Sequence, residues 1–255
     1  MATKSWPERL WLVRHGQSAG NVAQVAADLA GDERVAFLGR DVDVPLSPLG
    51  AQQALALGRW FGAAAPDARP DVILSSPYVR ALQTAQIARD AGAAHPDTVI
   101  GADERLREKE FGILDGLTQA GVVRAFPEQA DLRRVLGKFY HRPPGGESWC
   151  DVIFRLRAVL DTVSLHHGGR RVIIFAHHVV VLCMRYIIEN MNEAEVLAID
   201  ASSDVANCAI TEYRFDGDAG GDGALVLAHY NITAPMEAGA LEVTRANEAM
   251  VGARG

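Results

Sequence analysis

Four short β-prone apolar runs alternate with amphipathic helical segments, and this alternation restricts the fold more than any other feature of the chain. The first run, Leu10-Trp11-Leu12-Val13, ends on Arg14-His15-Gly16. The others cover residues 71–74, 98–100 and 172–176, the last being the most strongly β-prone. Between them, Ser47-Pro48 and Ser76-Pro77 carry the sequence signals of helix starts, Ser as cap and Pro in the first turn. Further helices are expected over about 148–166 and 179–189. Strands that are apolar throughout and alternate with helices predict an α/β three-layer sandwich, with a mostly parallel central sheet and helices on both faces. Residues 209–215 and 224–229 read as two more strands joined by a Gly/Asp turn.

No composition break marks a domain boundary in the 255 residues. One domain is therefore expected over 1–235, with an irregular insertion around 117–146, where Gly121, Pro127, Gly137 and Pro143-Pro144-Gly145-Gly146 interrupt any long helix. Residues 236–255 are expected to be a polar, disordered tail. The formal net charge of -7 argues against nucleic acid or an anionic membrane as partner. No run is long enough to span a bilayer, no secretory leader is expected, and three widely spaced cysteines suit a reducing compartment. The expected location is the cytoplasm. A homodimer is left open.

Polar residues fall where an open sheet binds ligands, outside the carboxyl ends of its strands. Arg14 and His15 follow the first strand, Arg80 follows the second by one helical turn, and His177 follows the run 172–176. Arginines there suit phosphate or carboxylate, because guanidinium is a planar fork of donors that keeps its charge. Like charge disfavours protonation of an imidazole beside them, which leaves it a competent nucleophile toward phosphorus. A departing alkoxide needs a proton, and on physical grounds Glu108 and Glu110 are equal candidates to supply it.

The motifs around these residues resemble the histidine phosphatase superfamily. Leu12-Val13-Arg14-His15-Gly16-Gln17-Ser18 with Asn21 stands first, then Pro45-Leu46-Ser47-Pro48-Leu49-Gly50, then Ser75-Ser76-Pro77 with Arg80-Ala81. Leu106-Arg107-Glu108, Phe111-Gly112, Gly146-Glu147-Ser148 and Ala176-His177 follow in order, so the resemblance runs over about residues 10–212. It implies a phosphoglycerate mutase-like fold and a phosphomonoester hydrolase working through phosphohistidine on His15. It also implies that Arg14, Arg80 and His177 hold the phosphoryl group, that Glu108 is the proton donor, and that no metal or other cofactor is required. Asn21 is similar to a phosphate-contacting residue of the family. Gln17, Ser18, His178 and Arg142 complete the residues expected to meet a phosphorylated small molecule.

The chain also departs from the family pattern. His178 stands where Gly is usual, Phe37-Leu38 opens a segment that is Trp-rich in the mutases, and Phe139-Tyr140-His141-Arg142-Pro143-Pro144 offers one Arg where the mutases have two. The last two departures favour a phosphatase over a phosphoglycerate mutase-type phosphotransferase. A non-catalytic module that binds a phosphorylated ligand is the rival of another class. Arg124, Arg133, Arg134, Lys138 and Arg142 form a basic stretch with two open readings, a solvated helix face or a cap that attracts anionic substrate. His166-His167 reads as a helix end, and Asp216-Gly217-Asp218 with Asp222-Gly223 as a hairpin turn.

Overall fold

In the computed structural model, which describes residues 5–36, 39–219 and 223–245, six strands form one sheet. They are β1 (Arg9–Arg14), β2 (Val72–Ser75), β3 (Ile100–Ala102), β4 (Arg171–Ala176), β5 (Ile210–Asp216) and β6 (Ala224–Ile232), in the spatial order β3-β2-β4-β1-β5-β6. The first four pair in parallel, while β5 and β6 run antiparallel along one side. Phe37, Leu38, Asp222 and residues 246–255 lie outside the described residues.

The period-two geometry of a strand explains why each run is apolar at successive positions. Leu10 and Leu12 of β1, with Val172 and Ile174 of β4, enter a core on one face of the sheet. That core is closed by α6 (Trp149–His166) and α7 (His178–Ile188). Trp11 and Val13, with Ile173 and Phe175, enter a second core on the opposite face. There α2 (Pro48–Gly62) and α3 (Val79–Ala88) cover them. Both faces of the sheet are buried, so the architecture is the expected three-layer sandwich.

The remaining helices are α1 (Ala19–Ala30), α4 (Gln119–Ala125), α5 (Pro127–Tyr140), α8 (Glu193–Ser202) and α9 (Ala234–Ala238). Ser47 caps α2 as its sequence suggests, its side chain accepting from Gly50 N. Ser76-Pro77 does not open α3, which begins two residues later with Tyr78 as its cap. The insertion is more regular than expected. It forms α4 and α5, separated at Phe126, and α5 contains a kink at Gly137 (φ +77°).

The expectation of a disordered tail from residue 236 fails for residues 236–245. Met236 is fully buried beside Leu57 and Phe61, and Leu241 and Val243 pack partly against the same core. Gln53 Nε2 donates to Thr244 Oγ1 at 3.1 Å, and Asn207 N donates to Thr244 O at 3.0 Å. The few apolar residues in this segment are spaced too irregularly to show a period, so only tertiary packing orders it.

One close approach locks the loop after β1 onto α2. A Cβ on Gly16 would lie 2.5 Å from Gly50 O, and a Cβ on Gly50 only 2.0 Å from Gln17 O. Both obstacles are backbone, which cannot swing aside as a side chain can. Gly50→Ala is therefore expected to destabilise the protein by about 3 kcal/mol, the upper end for overpacking, and to lower Tm by roughly 6–12 °C. Calorimetric melting checks this, and an unchanged Tm would mean that the two backbones are not locked together.

Candidate active site

β1 and β4 pair in a register that places Arg14 beside Ala176. The next residue on each strand is a histidine, so His15 and His177 emerge side by side, with ring centroids 5.2 Å apart at 63°. His15 N donates to Ala176 O at 3.0 Å, which continues the ladder one residue past the strands. β2 pairs with β4 so that Ser76 also follows the sheet edge, and Ser76 Oγ lies 2.8 Å from His177 Nε2. Arg14, His15 and His177 are fully buried, and Arg80, Glu108 and Asn21 nearly so.

Two hydrogen bonds define the state of the His15 ring. Nδ1 lies 2.7 Å from Gly16 O, a carbonyl that can only accept, so Nδ1 carries the proton. Arg80 Nε donates to His15 Nε2 at 3.3 Å, so Nε2 holds a lone pair. Both contacts specify the same neutral tautomer, with Nε2 turned toward the guanidinium of Arg80. The His15 carbonyl accepts from Asn207 Nδ2 at 3.0 Å, and Asn207 Oδ1 in turn accepts from Thr244 Oγ1 at 2.8 Å. Residues near the end of the described chain thus brace the loop that carries His15.

The arginines are held from different directions. Arg14 Nη1 donates to Val205 O at 2.6 Å. Arg80 stacks 4.9 Å from the Tyr78 ring centroid and donates through Nη1 to Asp41 O at 2.7 Å and through Nη2 to Asp41 Oδ2 at 3.0 Å. Burial, followed by the charge of Glu110, pushes the Tyr78 hydroxyl well above its ordinary range, so it stays a donor, here to Glu110 Oε1 at 2.9 Å. A cleft beside Arg80 is lined by Ser18, Asn21, Asp41, Val44 and Asp115. Burial, then the neighbouring Asp41, raises the Asp115 carboxyl.

The two candidate acids are now distinguished by place. Glu108 is buried beside the start of α7, its carboxylate accepting from Lys109 N at 2.8 Å and from Val179 N at 3.4 Å. Glu110 sits farther out, spent on Tyr78 and on Arg107 at 3.6 Å.

The other residues expected to meet substrate are less uniform. Ser18 and Asn21 line the cleft and cap α1 reciprocally, Ser18 Oγ accepting from Asn21 N and Asn21 Oδ1 from Ser18 N, both at 3.0 Å. Gln17 serves the loop, its Oε1 accepting from Ser47 Oγ at 2.7 Å. His178 is drawn toward α8 and the loop after it. Val205 N donates to its Nδ1 at 3.3 Å, so Nε2 carries the proton and faces Asp200 Oδ1 at 3.2 Å. Burial raises the Asp200 carboxyl, but the His178 hydrogen bond and the Lys138 ammonium outweigh it and hold the group down at about 2. Arg142 is exposed and ion-paired to Asp151 at the start of α6, so the structure does not bring it into the site.

Sequence reasoning missed Ser76 as a partner of His177, Thr84, which accepts from Gly16 N at 3.0 Å, and Asn207. The Ser76-Pro77 pair was visible but read as a helix cap. Asn207 follows α8 in a linker without any pattern, and only the fold carries it to His15.

Comparison with known proteins identifies the family. The family model of the histidine phosphatase superfamily (branch 1) matches residues 10–222, and the chain belongs to that superfamily. The chain is 32% identical over 179 residues to the Caenorhabditis elegans 6-phosphofructo-2-kinase/fructose-2,6-bisphosphatase, covering 70% of this chain and 33% of that one. It is 32% identical over 170 residues to a 2,3-bisphosphoglycerate-dependent phosphoglycerate mutase of Gloeobacter violaceus, covering 66% of this chain and 69% of the mutase. A solved mycobacterial glucosyl-3-phosphoglycerate phosphatase in complex with VO3 superposes with a TM-score of 0.68 at 25% identity, over 89% of this chain and 100% of that one. The chain spans only about a third to a half of the length of several curated relatives.

Asp41 places a carboxylate on the fork of Arg80 that an oxyanion would use. The pair is half exposed on the Asp41 side, so its worth is discounted to about 1 kcal/mol. Asp41→Asn is expected to tighten competitive inhibition by inorganic phosphate about fivefold, a factor equivalent to that energy. Weaker inhibition would show instead that Asp41 holds Arg80 in its working position.

Proposed function

We propose that the protein hydrolyses phosphomonoesters of small molecules by double displacement on His15, without a metal. The observation that carries this reading is the His15 tautomer, with the proton on Nδ1 bonded to Gly16 O and the Nε2 lone pair beside Arg80. In the first step Nε2 attacks phosphorus and the P–O bond to the alcohol breaks. Arg14, Arg80 and His177 meet the charge on the equatorial oxygens, and Glu108 gives its proton to the leaving oxygen. In the second, Glu108 takes a proton from water, which attacks phosphorus and expels His15 Nε2 with the electrons of the P–N bond. The groups around the phosphoryl position are guanidiniums and imidazoles, which suit an anion, and the carboxylate-rich oxygen cage of a hard cation is not what they form.

A phosphatase is favoured over a mutase because Arg142, the single arginine before the proline pair, is exposed and bound to Asp151. The mutase relative keeps the alternative in view, and isomerisation of 3-phosphoglycerate faster than phosphate release would favour it. A cytoplasmic location belongs to this reading. It is supported by three cysteines without a disulfide, and among the described residues no helix is long and apolar enough to cross a membrane.

The test is phosphate release from a panel of esters in excess EDTA. His15→Ala is expected to retain less than about 10⁻³ of wild-type kcat/KM, since the nucleophile has no substitute. Wild-type protein quenched during turnover should carry acid-labile phosphate on histidine; a mutant that keeps most of its activity would end this mechanism. Glu108→Gln is expected to lower kcat by roughly 10²–10³ on alkyl phosphates. The loss should be much smaller on p-nitrophenyl phosphate, whose leaving group departs without a proton; equal losses on both would remove Glu108 as the acid.

A further inference from the structure

The loop after α8 is gripped by side chains from two separate elements, and it grips Arg14 in turn. Two consecutive peptide groups, Asp204–Val205 and Val205–Ala206, have all four of their polar groups engaged. In the first, Val205 N donates to His178 Nδ1 at 3.3 Å, and Asp204 O accepts from Asn231 Nδ2 at 3.2 Å. In the second, Ala206 N donates to Asn231 Oδ1 at 2.9 Å, and Val205 O accepts from Arg14 Nη1 at 2.6 Å. Asn231, in β6, thus spends both ends of its amide on the loop, and His178, at the start of α7, spends the ring nitrogen that can accept. A peptide group is planar, with its N–H and C=O directed oppositely. The side chain that fixes Ala206 N therefore also aims the Val205 carbonyl at Arg14.

The next residues of the loop hold the backbone that carries the nucleophile. Cys208 N donates to Arg14 O at 3.0 Å, and Asn207 Nδ2 donates to His15 O at 3.0 Å. Arg14, His178 and residues 204–208 are all buried, so a polar group here that loses its partner is left unsatisfied. The ring of His178 is held as well, since its Nε2 donates to Asp200 Oδ1 at 3.2 Å, which keeps Nδ1 as the acceptor for Val205. Guanidinium recognises an oxyanion through a planar fork, so its usefulness depends on its direction as well as its charge. A carbonyl fixed in place and bonded to one Nη restricts where the rest of the Arg14 fork can point.

We propose that His178 and Asn231 are positioning residues that aim the Arg14 guanidinium at the phosphoryl group, by clamping the two peptides between Asp204 and Ala206. This rests on the proposed function for the role of Arg14. His178, expected from the sequence to meet the substrate, acts through Val205 instead. Its two ring nitrogens then have unequal worth, because only Nδ1 reaches the peptide that leads to Arg14.

That inequality supplies the test. The amide of Asn reaches the position of a histidine Nδ1, and the amide of Gln reaches that of Nε2. His178→Asn can therefore keep the bond to Val205 and lose Asp200, whereas His178→Gln keeps Asp200 and loses Val205. Asn231→Gly removes the second hold at a residue with φ +54°, where glycine is unstrained. The readout is the calorimetric affinity for inorganic phosphate, which engages Arg14 without turnover. His178→Gln and Asn231→Gly are each expected to weaken it about fivefold, the order of one hydrogen bond, and His178→Asn by less than about twofold. In an Arg14→Met background, where Val205 O has no guanidinium to aim, His178→Gln and Asn231→Gly should change the affinity by less than about twofold. Equal losses in His178→Asn and His178→Gln would overturn the inference, as would unchanged affinity in His178→Gln or Asn231→Gly, or losses that persist in the Arg14→Met background. Affinity unchanged by Arg14→Met alone would take Arg14 off the phosphoryl group and end this reading together with the proposed mechanism. The expected pattern in a protein that releases no phosphate from any ester would refute the proposed function and leave the clamp standing.

Discussion

The pairing of β1 with β4 is the constraint on which the rest depends. In a parallel pair, neighbouring residues keep the same direction, so the residues that follow Arg14 and Ala176 leave the sheet together. That brings His15 and His177 within ring contact, although 161 residues of chain lie between them. A slip of one residue would exchange the faces of the strand, sending Leu10 and Leu12 into the wrong core and separating the two rings. The two cores on either side of the sheet therefore hold this register as well as the fold.

Backbone groups around this register do as much as side chains. Gly16 O orients the imidazole, Ala176 O holds the His15 amide, and Val205 relays in both directions, its N–H to His178 and its carbonyl to Arg14. Through that one residue, Arg14 is tied to His178, Asp200 and Lys138, and so to α5. His178, the departure from the family pattern, thus fills a position where a residue without a side chain could make neither bond. Both bonds contribute to the support of Arg14.

What could be read in the sequence follows from how local each determinant is. The strand runs, the helix over 148–166 and the residues at strand ends were legible, since period, burial on both faces and position after a strand are properties of contiguous sequence. Asn207, Ser76 and Thr244 were not, because each acts through a single hydrogen bond to a residue distant along the chain. The choice between Glu108 and Glu110 could not be made from their chemistry and needed the family resemblance; in the structure the two differ in depth, one beside α7 and the other against Tyr78. Glycine and proline misled over the insertion. Pro127 opens α5 where its missing N–H does no harm, and Gly137 bends that helix without ending it.

That bend has a consequence for the charge arrangement. An unbroken helix carries residues four apart on one face, so Arg133 and Gly137 would lie together and Lys138 would follow at the edge of that face. With Gly137 in the left-handed region, Lys138 and Phe139 are redirected, Lys138 onto Asp200 and across the Trp149 ring at 5.5 Å, Phe139 into the core. Asp200 pairs with Lys138 and His178, and its charge also acts on Arg133. The same kink thus anchors α5, through Lys138 and Asp200, to the supports of Arg14. Anchoring of the insertion is the result of one local backbone conformation.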